Sequence, residues 1–116
     1  MRKNLDNFAY IHHIADAVEK ITAYVSDHSI EEFLNNEWDQ AALMRHLEII
    51  GEAASKLEVE FKDKYNSIEW RRIIDFRNVL IHDYMDVDIH VMWKIMTKNI
   101  PQLKNHIAII LKDERT

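Results

Sequence analysis

Residues 5–26 read LDNFAYIHHIADAVEKITAYVS, and this stretch decides the fold class. Tyr10, Ile14, Ala17, Ile21 and Tyr24 recur every three or four residues, the period of one α-helix face. Phe8, Ile11, Ala15, Val18 and Val25 form an adjoining stripe. Two such stripes make a wide apolar face, so this helix is expected to pack against more than one neighbour.

The pattern continues outward. Ser29-Ile30-Glu31-Glu32 spells a capping box that opens a short helix through Leu34. A third helix is expected from about Glu37 to Leu57, turning Leu43, Leu47, Ile50, Ala54 and Leu57 inward. Gly51 lies inside it, where glycine costs about 1 kcal/mol against alanine. A close approach by another helix would justify that cost. Ser67 is placed to cap a fourth helix over Ile68–Ile81, and Asp86 or Asp88 to start a fifth. Asn99-Ile100-Pro101 predicts a kink or restart, after which Leu103, Ile107 and Ile110 continue the stripe. With no linker or repeat, residues 1–116 are expected to form one all-α domain, an up-and-down bundle of about five helices.

Composition narrows the chemistry. One glycine and one proline leave little material for hairpins and exclude glycine-rich phosphate loops. The absence of cysteine excludes disulfides, thiolate catalysis and zinc-thiolate sites, and suits a reducing cytoplasm. The longest aliphatic run, IAIIL at 107–111, is far short of the ~20 residues that span a bilayer. Asp6, His12, His13 and Asp16 break any signal-peptide core, so the expectation is a cytoplasmic protein with no membrane partner. A net charge of −5 argues against broad coating of nucleic acid. The charge is uneven, however. Residues 27–39 are acidic, whereas Arg71, Arg72 and Arg77 fall within seven residues with only Asp75 opposing them.

Residues 77–84 then read RNVLIHDY. An arginine five residues before a histidine is a weak signal in a chain with six arginines and seven histidines. Residues five apart also point about 140° away from each other around a helix. Arg77 and His82 meet only if the helix ends near His82, if the arginine wraps around, or if a symmetric partner brings two copies together. Asn78, one turn before His82, does share its face. Asp83 and Tyr84 complete a narrower pattern.

That pattern, R-N-x-x-x-H-x-Y, resembles the HepT-like toxins of the HEPN superfamily. The likeness extends to EEFL at 31–34, LEIIGEAASKL at 47–57, Trp70-Arg71, VMW at 91–93 and IPQL at 100–103, in order over nearly the whole chain. Glu69 departs from it, since the family often has proline before the tryptophan. The change touches only a helix start, where an acidic residue is also favourable. The resemblance implies a dimeric helical bundle with two R-x4-H motifs across a shared cleft. It implies a type VII toxin, a metal-independent endoribonuclease acting on RNA such as tRNA or mRNA and needing no cofactor. Its partner would be an MntA-like nucleotidyltransferase antitoxin, bound to the homodimer or within a larger heteromeric assembly, that silences it by AMPylation of Tyr84.

These residues suit that chemistry. RNA supplies its own nucleophile, the 2′-hydroxyl. An imidazole titrates near ~6.5, so His82 is fit to take the 2′ proton or to protonate the leaving 5′ oxygen. Arg77 would stabilise charge on the transition state through two N–H groups. Asn78 and Asp83 are supporting residues, Asn78 orienting His82 or the phosphate. Arg71 and Arg72 are candidate phosphate contacts, and the expected product end is a 2′,3′-cyclic phosphate. Elsewhere the ordinary reading leads. No glutamate has a histidine three residues later and no two histidines stand four apart, so no metal site is expected. His46 reads as surface or core edge, His28, His90 and His106 show no partner, and Glu52 reads as structural. Trp38, Trp70 and Trp93 read as packing residues. The rival function is a non-catalytic helical dimer that binds a nucleotidyltransferase or a nucleotide, which the acidic net charge favours.

Overall fold

The computed structural model describes residues 2–114, with side chains from Asp6 onward. All regular structure among them is helical. The elements are α1 (Arg2–Asp27), α2 (Ile30–Leu34), α3 (Glu37–Lys56), α4 (Val59–Lys64) and α5 (Trp70–His82). A 3₁₀ turn (Tyr84–Asp86), α6 (Ile89–Lys94), a π turn (Ile95–Asn99) and α7 (Ile100–Asp113) follow.

Helix α1 packs against both α3 and α7, as its wide face requires, and α5 packs on the far side of α3. The two stripes of α1 merge at the centre: Ile11, Ile14, Ala17, Val18 and Ile21 are buried, and Tyr10, Ala15, Tyr24 and Val25 flank them. They meet Leu43, Leu47, Ile50, Ala54 and Leu57 from α3 and its end, all buried as the spacing predicts, and Ile107 and Ile110 of α7. The buried Asn7 clips this core to the α3–α4 connection. Its Nδ2 donates to Glu58 Oε1 at 3.0 Å and its Oδ1 accepts from the Glu58 N–H at 3.1 Å.

The capping box forms. Glu32 N–H donates to Ser29 Oγ at 3.2 Å, and Ser29 N–H donates to Glu32 Oε1 at 2.8 Å. Asp88, not Asp86, caps α6 by accepting from the His90 and Val91 N–H groups. Pro101 is taken into the helix through the π turn. Proline has no N–H and its ring crowds the carbonyl four residues back, so the ladder widens before it and Ile100 N–H reaches the Ile95 carbonyl.

Three expectations need correction. Helix α4 was not among the five segments expected from the sequence. Six residues are too few to show a period, and Phe61 earns its burial only against the finished bundle. Ser67 does not cap the motif helix, which starts at Trp70 with Glu69 in the cap position and no side-chain cap bond. Ile68 is buried there, and Trp70 turns inward with Nε1 donating to the Tyr65 carbonyl at 3.1 Å. Among the tryptophans, Trp70 and Trp93 pack, Trp93 with its ring 5.4 Å from that of Phe33. Trp38 does not pack, being 88% exposed.

Two phenols bind the periphery. Tyr24 donates to Asp39 Oδ2 at 2.8 Å, and Tyr65 donates to Glu114, which also pairs with Lys64 Nζ at 2.9 Å. Burial first, then the carboxylate partner, pushes each phenol up to about 12. Lys64 is raised by the same Glu114. The folded chain therefore holds these protons more tightly than the unfolded chain, whose phenols titrate near ~10. This stabilisation is complete below pH ~10 and is lost as pH rises towards 12. The urea midpoint is expected to fall over that window. Tyr24→Phe with Tyr65→Phe flattens the fall without abolishing it, since Lys64 remains. A fall as steep in the double variant would contradict the assignment.

Candidate functional site

The motif occupies the second half of α5 and the turn after it. Arg77 is half-buried, because its stem lies against α3 at Gly51. A Cβ on Gly51 would stand 2.1 Å from Arg77 Cβ and 2.8 Å from its Cγ. The lone glycine is thus the place where α5 comes down on α3, which supplies the close approach that a mid-helix glycine requires. The contact sets the position of Arg77.

The guanidinium has no carboxylate partner among the described residues. Its NH1 donates to Asn78 Oδ1 at 3.0 Å, and its buried Nε has no partner. The Asn78 amide oxygen is thus taken by the guanidinium. A half-buried cation without a counter-charge costs stability, and such an arrangement persists where function requires it.

Helix α5 ends at His82, the first of the conditions under which arginine and histidine can approach. Asp83 is the C-cap, its N–H donating to the Val79 carbonyl at 2.8 Å, and Tyr84–Asp86 turn away as one 3₁₀ turn. Asn78, His82, Asp83 and Tyr84 are all exposed. Val79 and Ile81 are exposed beside them, Tyr84 is 58% exposed and Met85 80%. A run of exposed apolar side chains around polar motif residues is the character of an interface. Arg71 and Arg72 lie at the start of α5, paired with Asp75 at 3.5 Å and Glu69 at 3.0 Å. Both pairs are exposed, so each opens at little cost.

Two surface clefts lie away from Arg77 and His82. One of ≈570 Å³ runs between α5 and the α6–α7 limb and includes Arg72, Lys94 and His106. The other, ≈390 Å³, runs between α1 and α3 and includes His13, Lys20, Arg45 and His46. Nothing in the local patterns marks the second cleft, since its members are read on separate helices and only tertiary packing joins them. His46 is half-buried there, its proton affinity lowered by burial and then by Lys20 and Arg45. Among the described residues no three His, Asp or Glu side chains converge as a metal site, and no helix is long and apolar enough to cross a membrane. His28 and His90 do find partners: His28 stacks on Tyr24 at 3.9 Å, and His90 Nδ1 lies 3.6 Å from Asp88.

Comparison with known proteins fits this arrangement. Residues 14–110 match the family model described as "Ribonuclease HepT-like". A Thermococcus cleftensis protein named "Probable ribonuclease HepT" is 40% identical over 103 residues, covering 89% of this chain and 94% of the relative. A Caldanaerobacter subterraneus protein named "Putative RNase" is 35% identical over 106 residues, covering 91% and 95%. A Methanocaldococcus jannaschii protein named "Gamma-glutamylcyclotransferase and putative RNase" is 37% identical over 113 residues, 97% of this chain. The chain spans half the length of that last relative. No solved structure matches. By the family model over most of its length and by these relatives, the chain belongs to the HepT-like ribonuclease family.

Proposed function

We propose that the protein is a metal-independent endoribonuclease whose active site is completed by a second copy of the chain, with Arg77 and His82 as its catalytic residues. The observation that carries this reading is the uncompensated guanidinium of Arg77, held by Gly51 and Asn78 at the edge of an exposed apolar surface. The exposed Val79, Ile81 and Met85 beside the motif support a composite site. Two protomers supply two imidazoles. One takes the proton of the RNA 2′-hydroxyl as its oxygen bonds to phosphorus. The other protonates the 5′ oxygen as the P–O5′ bond breaks, leaving a 2′,3′-cyclic phosphate and a 5′-hydroxyl. Arg77 stabilises the charge that accumulates on the phosphoryl oxygens. Arg71 and Arg72 hold flanking phosphates, and Asp83 fixes the end of the helix that presents His82.

In this reading the protein is the toxin of a type VII toxin–antitoxin pair, and its antitoxin is a nucleotidyltransferase that adenylylates Tyr84. The phenol oxygen bonds to the α-phosphorus of ATP and pyrophosphate leaves. The exposure of Tyr84, two residues from His82, supports it, because AMP there brings bulk and negative charge against the RNA phosphate. Tyr84→Phe is expected to keep ribonuclease activity and to escape silencing. Mass spectrometry should find AMP on the wild-type chain after incubation with the nucleotidyltransferase and ATP, and none on the variant. Silencing of Tyr84→Phe to the same degree would remove Tyr84 from the mechanism.

The test of the whole reading is incubation of the unmodified protein with total cellular RNA in EDTA, followed by mapping of the cleaved ends. Discrete cuts ending in cyclic phosphate support it. No cleavage by protein with a free Tyr84 would favour a non-catalytic dimer that binds the nucleotidyltransferase, the reading that the net charge of −5 favours.

A further inference from the structure

The α1–α3 cleft is remote in sequence from the motif and has no part in the mechanism above. Its walls are one face of each helix. His13, Asp16 and Lys20 succeed one another along α1, and Arg45, His46, Glu52 and Lys56 line it from α3. The chain carries a net charge of −5, yet this cleft sets three permanent cations against two carboxylates and adds two imidazoles. Lys20 makes no ion pair among the described residues. Arg45 reaches Glu48 at 3.4 Å and Glu52 at 4.0 Å, and Lys56 reaches Glu52 at 3.7 Å. These pairs are long and exposed, and contribute little.

Lys20 and Arg45 come from different helices and both bear on His46, lowering its proton affinity after the effect of burial. Arg45 is weakly paired and Lys20 has no ion-pair partner among the described residues, so an anion entering this groove meets cations from both walls. His13 stands edge-on to the Tyr10 ring at 6.0 Å, so its imidazole is held at the same wall.

We propose that the α1–α3 cleft binds a backbone phosphate of the RNA substrate, with His13, Lys20, Arg45 and His46 as its donors. The site rests on the ribonuclease reading and extends it, for it lets an acidic protein hold a long RNA by a second point of contact. It also favours substrates long enough to reach from the motif to this cleft.

The test uses a 2′-O-methyl oligoribonucleotide, which lacks the free 2′-hydroxyl and is not cleaved, followed by NMR of the histidine imidazoles. Binding is expected to move the His13 and His46 resonances and to raise the titration midpoint of His46. Lys20→Ala with Arg45→Ala should abolish those shifts. It should also reduce the slope of log affinity against log salt by about 0.7 for each phosphate contact removed. Movement of His82 alone, with His13 and His46 still, would place RNA only at the motif, overturning this inference and leaving the ribonuclease reading intact. If no imidazole moves, the RNA reading falls with it. Inorganic phosphate is the second arm: shifts with phosphate but none with the oligonucleotide would make the cleft a free-anion site and overturn its assignment to RNA.

Discussion

Replacing His82 with alanine lowers RNA cleavage in EDTA by about 10²–10⁴-fold, the usual worth of a positioned general acid or base. The fold is expected to survive. His82 is exposed at the end of α5, and surface replacements of this kind stay within about 0.5 kcal/mol. Melting curves and helical content should match the wild type while the cleavage rate collapses. Arg77→Ala lowers the rate as well, but it also removes a half-buried stem from α3 and costs stability. Mixed dimers give the sharper measurement. On one straight helix Arg77 and His82 point about 140° apart, which is poor geometry for a site within one protomer. If the cleft is shared, a dimer of one wild-type and one His82→Ala protomer lacks one of the two imidazoles, and its cleavage falls far below half that of the wild type. If each protomer works alone, the mixed dimer keeps half. An active His82→Ala protein would remove the proposed mechanism altogether.

What the sequence disclosed, it disclosed through local signals. Ser29 and Glu32 cap one another within four residues, so the capping box is legible without knowledge of the rest of the fold. The stripes of α1 and α3 are equally local: Ile11, Ile14, Ala17, Val18 and Ile21 and the whole α3 stripe are buried, whereas Phe8, Tyr10, Ala15, Tyr24 and Val25 are only half-buried. Gly51 was legible as a question: a glycine inside a helix asks for a neighbour, and only packing identifies it as Arg77. Ser67 misled because cap preference is a weak force. Burial of Ile68 and Trp70, with the bond from Trp70 to the Tyr65 carbonyl, moved the helix start past it. Trp38 misled because a tryptophan is expected to find cover, and nothing among the described residues covers it.

The candidate site divides in the same way. The spacing of Arg77, Asn78, His82 and Tyr84 is visible in eight letters. The pairing of Asn78 with Arg77 is not, since it depends on the side-chain conformation that the guanidinium takes once the arginine stem packs on Gly51. The α1–α3 cleft was invisible because Lys20 and His46 are far apart in the chain and neither is unusual in its own helix.

Gly51→Ala is expected to destabilise the protein and to inactivate it, although alanine is the better helix former. Propensity alone would stabilise α3 by about 1 kcal/mol. Against that, the new methyl carbon would fall 2.1 Å from Arg77 Cβ and 3.1 Å from the Ile73 carbonyl oxygen. Neither atom is the tip of a flexible chain, so rotation of a side chain does not relieve the contact and α5 itself must move away. Forcing a methyl group into a packed contact costs ~1–3 kcal/mol, and a clash this close belongs at the upper end. The net loss is then roughly 1–2 kcal/mol, a fall in melting temperature of about 5 °C or more. Activity suffers further than stability. Helix α5 carries Arg77 and His82, and a displacement of about 1 Å is enough to cost ~10²-fold in rate. Second substitutions identify the cause. Arg77→Ala keeps the Cβ and so leaves most of the clash in place, whereas Arg77→Gly removes it and should recover part of the lost stability despite adding a second helix glycine. A Gly51→Ala protein that melts higher than the wild type and cleaves RNA normally would mean that α5 yields without consequence, and that the glycine does not position the motif.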